Sequence, residues 1–166
     1  MYGLDPRQFK QNIVIPVIDY LDYDQTITKA ETAIALVLGT CLKESLLKYL
    51  VQRPNGPALG VGQMEPFTHD DIWKTFLPGQ FVLRQRILKI LGRSAGDEKP
   101  PQARELVFNL EYAVAMTRVR YIRAQPPLPA NVPLALAQYW KQHYNTGEGK
   151  GDVQEALKHF TFAVNL

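Results

Sequence analysis

Glu44 and Ser45 sit in "LGTCLKESLLKYL", at the tail of a leucine-rich stretch. A carboxyl among apolar neighbours loses its proton reluctantly, because the charged form is cut off from water. One that stays protonated near neutral pH can act as a general acid. On a helix, Glu44 has Thr40, Cys41, Leu47 and Lys48 three and four residues away, a mixed setting that suits the edge of a cleft. The same spacing also fits an ordinary surface glutamate paired with Lys48, since lone glutamates are mostly solvated. The next segment bears on the choice. From Val51 to Phe67 the chain carries Pro54, Gly56, Pro57, Gly60, Gly62 and Pro66, so helix cannot continue and a tightly turned, ordered loop is expected. Far downstream, Tyr144 to Gly151 reads as a glycine-rich loop before the last helix.

The elements that must position these residues read as helices. Asp5-Pro6 has the form of an N-cap with proline at the first helical position, opening a helix with Phe9, Ile13, Val17 and Tyr20 on one side and a kink at Pro16. Tyr23 to Thr26 is polar and turn-like, and Thr28-Lys-Ala-Glu31 resembles a capping box before a long helix to about Leu50. Being apolar almost all round, that helix belongs at the centre of the core. A short helix is expected from Thr68 to about Pro78-Gly79, and others over Gln80 to Leu91, Gln102 to Ala124, Pro133 to His143 and Val153 to Ala163. Few segments alternate as strands do. The fold class is therefore all-α or α-dominated, with room for a small β-hairpin between Val51 and Met64.

The 166 residues, 46% of them hydrophobic and 21% charged, suit one globular domain over 1–166. It divides into a helical N-terminal segment, 1–27, and a core over about 28–166. A net charge of +3 favours anionic partners only weakly, because no block of Lys and Arg exceeds two in a row. Basic residues and aromatics form no stripe, which disfavours a nucleic-acid-binding module. Cys41 is the single cysteine, so there is no internal disulfide, and His69, His143 and His159 stand too far apart for metal-ligand spacing. No cofactor or metal is expected. The longest apolar run, Ile13 to Ile18, is broken by Pro16 and too short for membrane insertion.

The segment Ala58-Leu-Gly-Val-Gly-Gln-Met-Glu-Pro66 resembles the Gly-Leu-Met-Gln segment of the soluble lytic transglycosylases, with Ala58, Gly60, Gln63, Pro66 and Thr68 in register. In that family a Glu-Ser pair precedes the segment at about the distance at which Glu44-Ser45 precedes Gly60. "AQYWKQHYNTG", Ala137 to Gly147, is similar to the family's Ala-x-x-x-Tyr-Asn-x-Gly motif, and "NLEYAVAMTRVRYI", Asn109 to Ile122, to its long helix. The resemblance spans roughly Thr28 to Phe160 and implies a lysozyme-like domain.

It further implies that Glu44 is the catalytic acid for the β-1,4 bond between N-acetylmuramic acid and N-acetylglucosamine in peptidoglycan. That one glutamate serves as acid and then base, while the muramic acid's 6-hydroxyl closes a 1,6-anhydro ring. Ser45, Gln63, Thr68, Tyr144 and Asn145 take substrate-binding or supporting roles. Ser45 has a plainer reading as a helix-end hydroxyl, Gln63 as a loop brace and Tyr144-Asn145 as a capping turn. The sequence departs from the pattern at Gly62 and Glu65, where methionine is usual, and at Glu148, where proline is common. Glu65 and Glu148 are then candidates for the second carboxylate that a lysozyme-type hydrolase would need. A virion structural protein with the fold but no activity is the alternative from another class. No signal peptide, lipobox-like cysteine or wall-binding repeat is evident, which suits a bacteriophage product, either a virion-carried wall-opening protein or an endolysin released through a membrane pore. Its partners would be peptidoglycan and other virion proteins, and it would reside in the virion or the host cytoplasm before delivery to the cell wall.

Overall fold

The structure, a computed structural model, describes residues 1–22, 27–124, 126–145 and 151–166. Asp5 and Pro6 open the first helix as expected: the Asp5 carboxylate accepts the Gln8 amide at 2.9 Å, and Pro6 stands where no N–H is needed. The discontinuity expected at Pro16 takes the form of a widened π-helical turn, Lys10–Val14, between α1 (Pro6–Phe9) and α2 (Ile15–Leu21). The extra residue in that turn shifts the buried stripe. Beyond it Val17, Ile18 and Leu21 face the core, while Tyr20, expected on that stripe, is exposed.

α3 (Ile27–Ser45) starts one residue before the expected capping threonine and stops five residues short of Leu50. It is followed by α4 (Pro66–Asp71), which continues through a π turn (Ile72–Phe76) and a short 3-10 turn (Leu77–Gly79). Pro66 thus takes the first helical position, ahead of the start expected at Thr68. Next come α5 (Phe81–Ile90), α6 (Glu105–Phe108), α7 (Leu110–Arg123), α8 (Pro133–His143) and α9 (Val153–Asn165). The helix expected over Gln102 to Ala124 is in fact two. Asn109 adopts extended backbone between them, and its side chain caps α7 by accepting the Tyr112 amide at 2.9 Å. Among the described residues the Val51–Met64 region forms two single antiparallel pairings, Val51 with Leu59 and Leu59 with Met64, and no sheet. The turn expected over Tyr23 to Thr26 lies outside the described residues. No described helix is long and apolar enough to cross a membrane.

The helices pack around α3 and α7. As expected, α3 is central, burying Leu36, Val37, Leu38, Cys41 and Leu42. α9 lies along both α3 and α8. Gly39 permits this closeness, since a side chain there would collide with the Phe160 ring. α7 is enclosed on nearly every side, from Tyr112 to Val119, in spite of its arginines. Arg118 is accommodated because its Nε donates to Asp22 at 2.8 Å where the chain leaves α2. α4 is tied to α7 through Tyr112, whose hydroxyl accepts the Trp73 indole N–H at 2.8 Å and meets His69 Nε2 at 2.7 Å.

Candidate functional site

Glu44 lies in the last turn of α3, and the way that helix ends decides where it points. Leu46 and Leu47 have φ of 55° and 51°, a left-handed conformation that costs side-chain-bearing residues roughly 1–2 kcal/mol each. Several bonds hold them there. The Ser45 hydroxyl donates to Cys41 O at 3.0 Å and accepts the Leu47 amide at 3.1 Å. From the chain's start, the Gly3 and Leu4 amides donate to the Leu46 and Leu47 carbonyls at 3.0 and 3.2 Å. Tyr2 anchors this strap to α9, its hydroxyl 2.9 Å from His159 Nδ1. The abrupt turn leaves Glu44 at the lip of a groove of about 870 Å3.

Half-buried there, the Glu44 carboxyl accepts the Trp140 indole N–H on Oε1 at 2.8 Å. Burial pushes its pKa up to about 7, although the indole bond and the nearby Lys43 and Arg120 charges pull the other way. Desolvation outweighs its three opponents. Near neutral pH a large share of the molecules therefore carry a carboxylic acid facing the groove, the state a proton donor requires.

Of the other residues singled out in the sequence, Gln63, Thr68, Tyr144 and Asn145 line this groove with Glu44. Ser45 does not: it is fully buried, and both its hydroxyl bonds go to the backbone of the α3 terminus. Its place is behind the acid, as the helix-end hydroxyl. Gln63 itself has φ of 47°, and its amide nitrogen donates to Gly60 O at 2.8 Å and more loosely to Tyr49 O at 3.4 Å. It therefore braces the loop as well as facing the groove. Gln63→Ala is expected to lower stability by about 1 kcal/mol through loss of the loop bond, read as a lower urea midpoint. An unchanged midpoint would show that the bond contributes nothing.

Tyr144 is nearly buried. Its hydroxyl donates to Gly62 O at 2.7 Å, so the tyrosine holds the loop against the end of α8 rather than offering the hydroxyl to the groove. Burial raises its pKa and keeps it protonated. The glycine at position 62 follows from this packing, because a Cβ there would run into Thr117 Oγ1 and the Tyr144 hydroxyl. Asn145 Oδ1 accepts from Lys141 Nζ at 3.0 Å and from the Gly151 amide at 3.1 Å, tying together the two ends of the stretch between them. Of the extra carboxylates, Glu65 is exposed at the groove, while Glu148 lies outside the described residues.

Among the groove residues that the sequence did not single out, three bear on Glu44 and its surroundings. Trp140 is wholly buried and holds the acid. Arg120, from α7, lies over the Tyr144 ring at 5.0 Å and donates from Nη2 to Tyr144 O at 2.7 Å. Glu155 pairs with Lys43 at 2.7 Å, which holds its carboxyl below the usual range. The expected motif "AQYWKQHYNTG" did contain Trp140, but nothing local distinguishes a tryptophan that meets a distant glutamate from one that fills the core. Among the described residues no group of three or more His, Cys, Asp or Glu side chains could hold a metal ion. No family model, curated protein or solved structure matches the chain.

Proposed function

We propose that the protein cleaves the glycan strands of bacterial peptidoglycan as a lytic transglycosylase on a lysozyme-like helical scaffold. The observation that carries this reading is Glu44, an acid held by the Trp140 indole in the wall of a groove that also presents Gln63, Thr68 and Asn145. The groove falls within the range of about 300–1,000 Å3 usual for ligand clefts. Its mixture of amides, hydroxyl and aromatic side chains suits a polyhydroxylated, acetamido-bearing chain.

Since Oε1 accepts the indole N–H, the transferable proton belongs on Oε2. Glu44 gives that proton to the glycosidic oxygen as the bond from the muramic acid C1 breaks, the bonding electron pair leaving with the oxygen. The carboxylate so formed takes the proton of the muramic acid 6-hydroxyl as its oxygen bonds to C1, closing the anhydro ring and restoring the acid. One carboxyl suffices for both steps.

The test is mass spectrometry of soluble fragments released from purified peptidoglycan. Fragments ending in 1,6-anhydromuramic acid are expected from the wild type and not from Glu44→Gln. Release of nothing by the wild type would overturn the reading. Hydrolysis of the same bond is the second reading, favoured by the presence of Glu65 and the ion-paired Glu155 on the same groove, either of which could activate water. It would reveal itself through reducing-end muramic acid.

A further inference from the structure

Arg120 is an unusual cation. Its guanidinium is fixed from two sides by one residue, through the bond from Nη2 to Tyr144 O and the stacking over the Tyr144 ring, and Tyr144 is itself fastened to the Gly62 carbonyl. Although it lines the groove, no carboxylate pairs with it among the described residues, and its Nε is buried without a hydrogen-bond partner. A buried, unpaired donor on a charged group is costly, and native structures keep few of them. A second ionisable group, Glu44, lines the same groove. Glu44 is close enough to feel the guanidinium charge, and it is neutral only while it holds its proton.

The other groups around Glu44 do not compete for this part. On its own helix, Lys43 is engaged by Glu155 of α9, and the Cys41 thiol is kept protonated by burial. From α7 the Tyr121 hydroxyl meets Thr40 Oγ1 at 2.7 Å and also stays protonated. Trp140 of α8 offers a neutral donor, and Tyr144 a protonated phenol bonded elsewhere. Of the two cations whose charge acts on Glu44, Lys43 is paired with Glu155, and Arg120 has no carboxylate partner among the described residues.

We propose that Arg120 is the counterion of deprotonated Glu44, a positioning residue whose guanidinium holds the carboxylate once its proton has passed to the leaving oxygen. The inference rests on the proposed role of Glu44. It implies that the buried charge created in the first half of turnover is balanced by a partner already in place, so that little has to reorganise as the charge appears. By drawing down a pKa that burial alone would push higher, Arg120 also keeps the acid able to give up its proton.

The experiment compares wild type, Arg120→Met and Arg120→Lys by two readouts: the Glu44 carboxyl titration, followed by carbon-13 NMR and assigned with Glu44→Gln, and the pH profile of fragment release from peptidoglycan. Removing the positive charge makes proton loss harder. In Arg120→Met the Glu44 midpoint is therefore expected to move upward and the alkaline limb of activity to move with it. The maximal rate should fall by about tenfold or more, without a rise in half-saturating substrate concentration. Arg120→Lys should return the titration towards that of the wild type. Should Arg120→Met fail to fold, Arg120→Gln serves in its place. A Glu44 titration unmoved by loss of the charge would overturn the inference. So would a weaker grip on peptidoglycan with the titration and maximal rate unchanged, since the guanidinium would then be meeting an acidic group on the substrate. Because the NMR readout needs no turnover, it judges the counterion role even if the wild type releases no fragments and the proposed function fails.

Discussion

Glu44→Gln is expected to reduce fragment release by about 10²–10⁴-fold below pH 7, with the fold intact. The amide is nearly isosteric, and its oxygen can still accept the Trp140 indole N–H, so the α3 terminus and the groove keep their shape. Only the proton is lost. In the wild type, activity should fall as pH rises through about 7, where the acid gives way to the carboxylate.

Stability supplies an independent reading of the same group. Glu44 binds its proton more tightly in the folded chain than in the unfolded one, so the fold holds an extra proton between the ordinary carboxyl range and about pH 7. The associated stability is fully present below the unfolded value and is lost as pH rises through about 7. Glu44→Gln has no charged form to desolvate and should overtake the wild type in urea midpoint on the alkaline side. If the difference in midpoint between the two proteins stays constant with pH, Glu44 is an ordinary solvated glutamate, and the general-acid role falls with it.

Arg118→Met is expected to be the most destabilising single change, at about 3–5 kcal/mol, because it leaves Asp22 buried and uncompensated. Each side chain of the pair is only 3% exposed, and the Nε to Oδ2 distance is 2.8 Å. The pair joins the end of α2 to the middle of α7, so the damage should reach the whole core rather than one surface loop. Adding Asp22→Asn to Arg118→Met should recover part of the loss, since a neutral amide tolerates burial better than a lone carboxylate. Denaturant unfolding of both variants measures this. A loss below about 1 kcal/mol for the single variant would place the pair among solvated surface bridges, whose contributions are small.

Local signals in the sequence were reliable where the physics was itself local. The Asp5-Pro6 start, the helix from Pro133 to His143 and the stop of α5 ahead of Gly92 all depend on groups a few residues apart, and each was legible. Asn109 was the exception within a few residues: a strongly helical surrounding hid its capping role, and two helices read as one. Leucine favours helix, so continuation of α3 to Leu50 was the natural expectation. The chain instead turns at Leu46 because backbone donors from Gly3 and Leu4, more than forty residues away, meet its carbonyls.

The same division runs through the candidate site. By itself the sequence determined an α-dominated chain with an unusual glutamate before a glycine-proline loop; the motif resemblance pointed to Gln63, Thr68, Tyr144 and Asn145, which do share a groove with Glu44. Only the tertiary structure decided which chemistry each side chain retains. It assigned the Ser45 hydroxyl to the helix end, the Tyr144 hydroxyl to Gly62, the Gln63 nitrogen to its own loop, and the environment of Glu44 to Trp140, Lys43 and Arg120. The physical reason is that acidity depends on desolvation and on charges within a few ångströms, and while Lys43 is adjacent in the chain, Arg120 and Trp140 arrive from α7 and α8 through packing that no local spacing encodes.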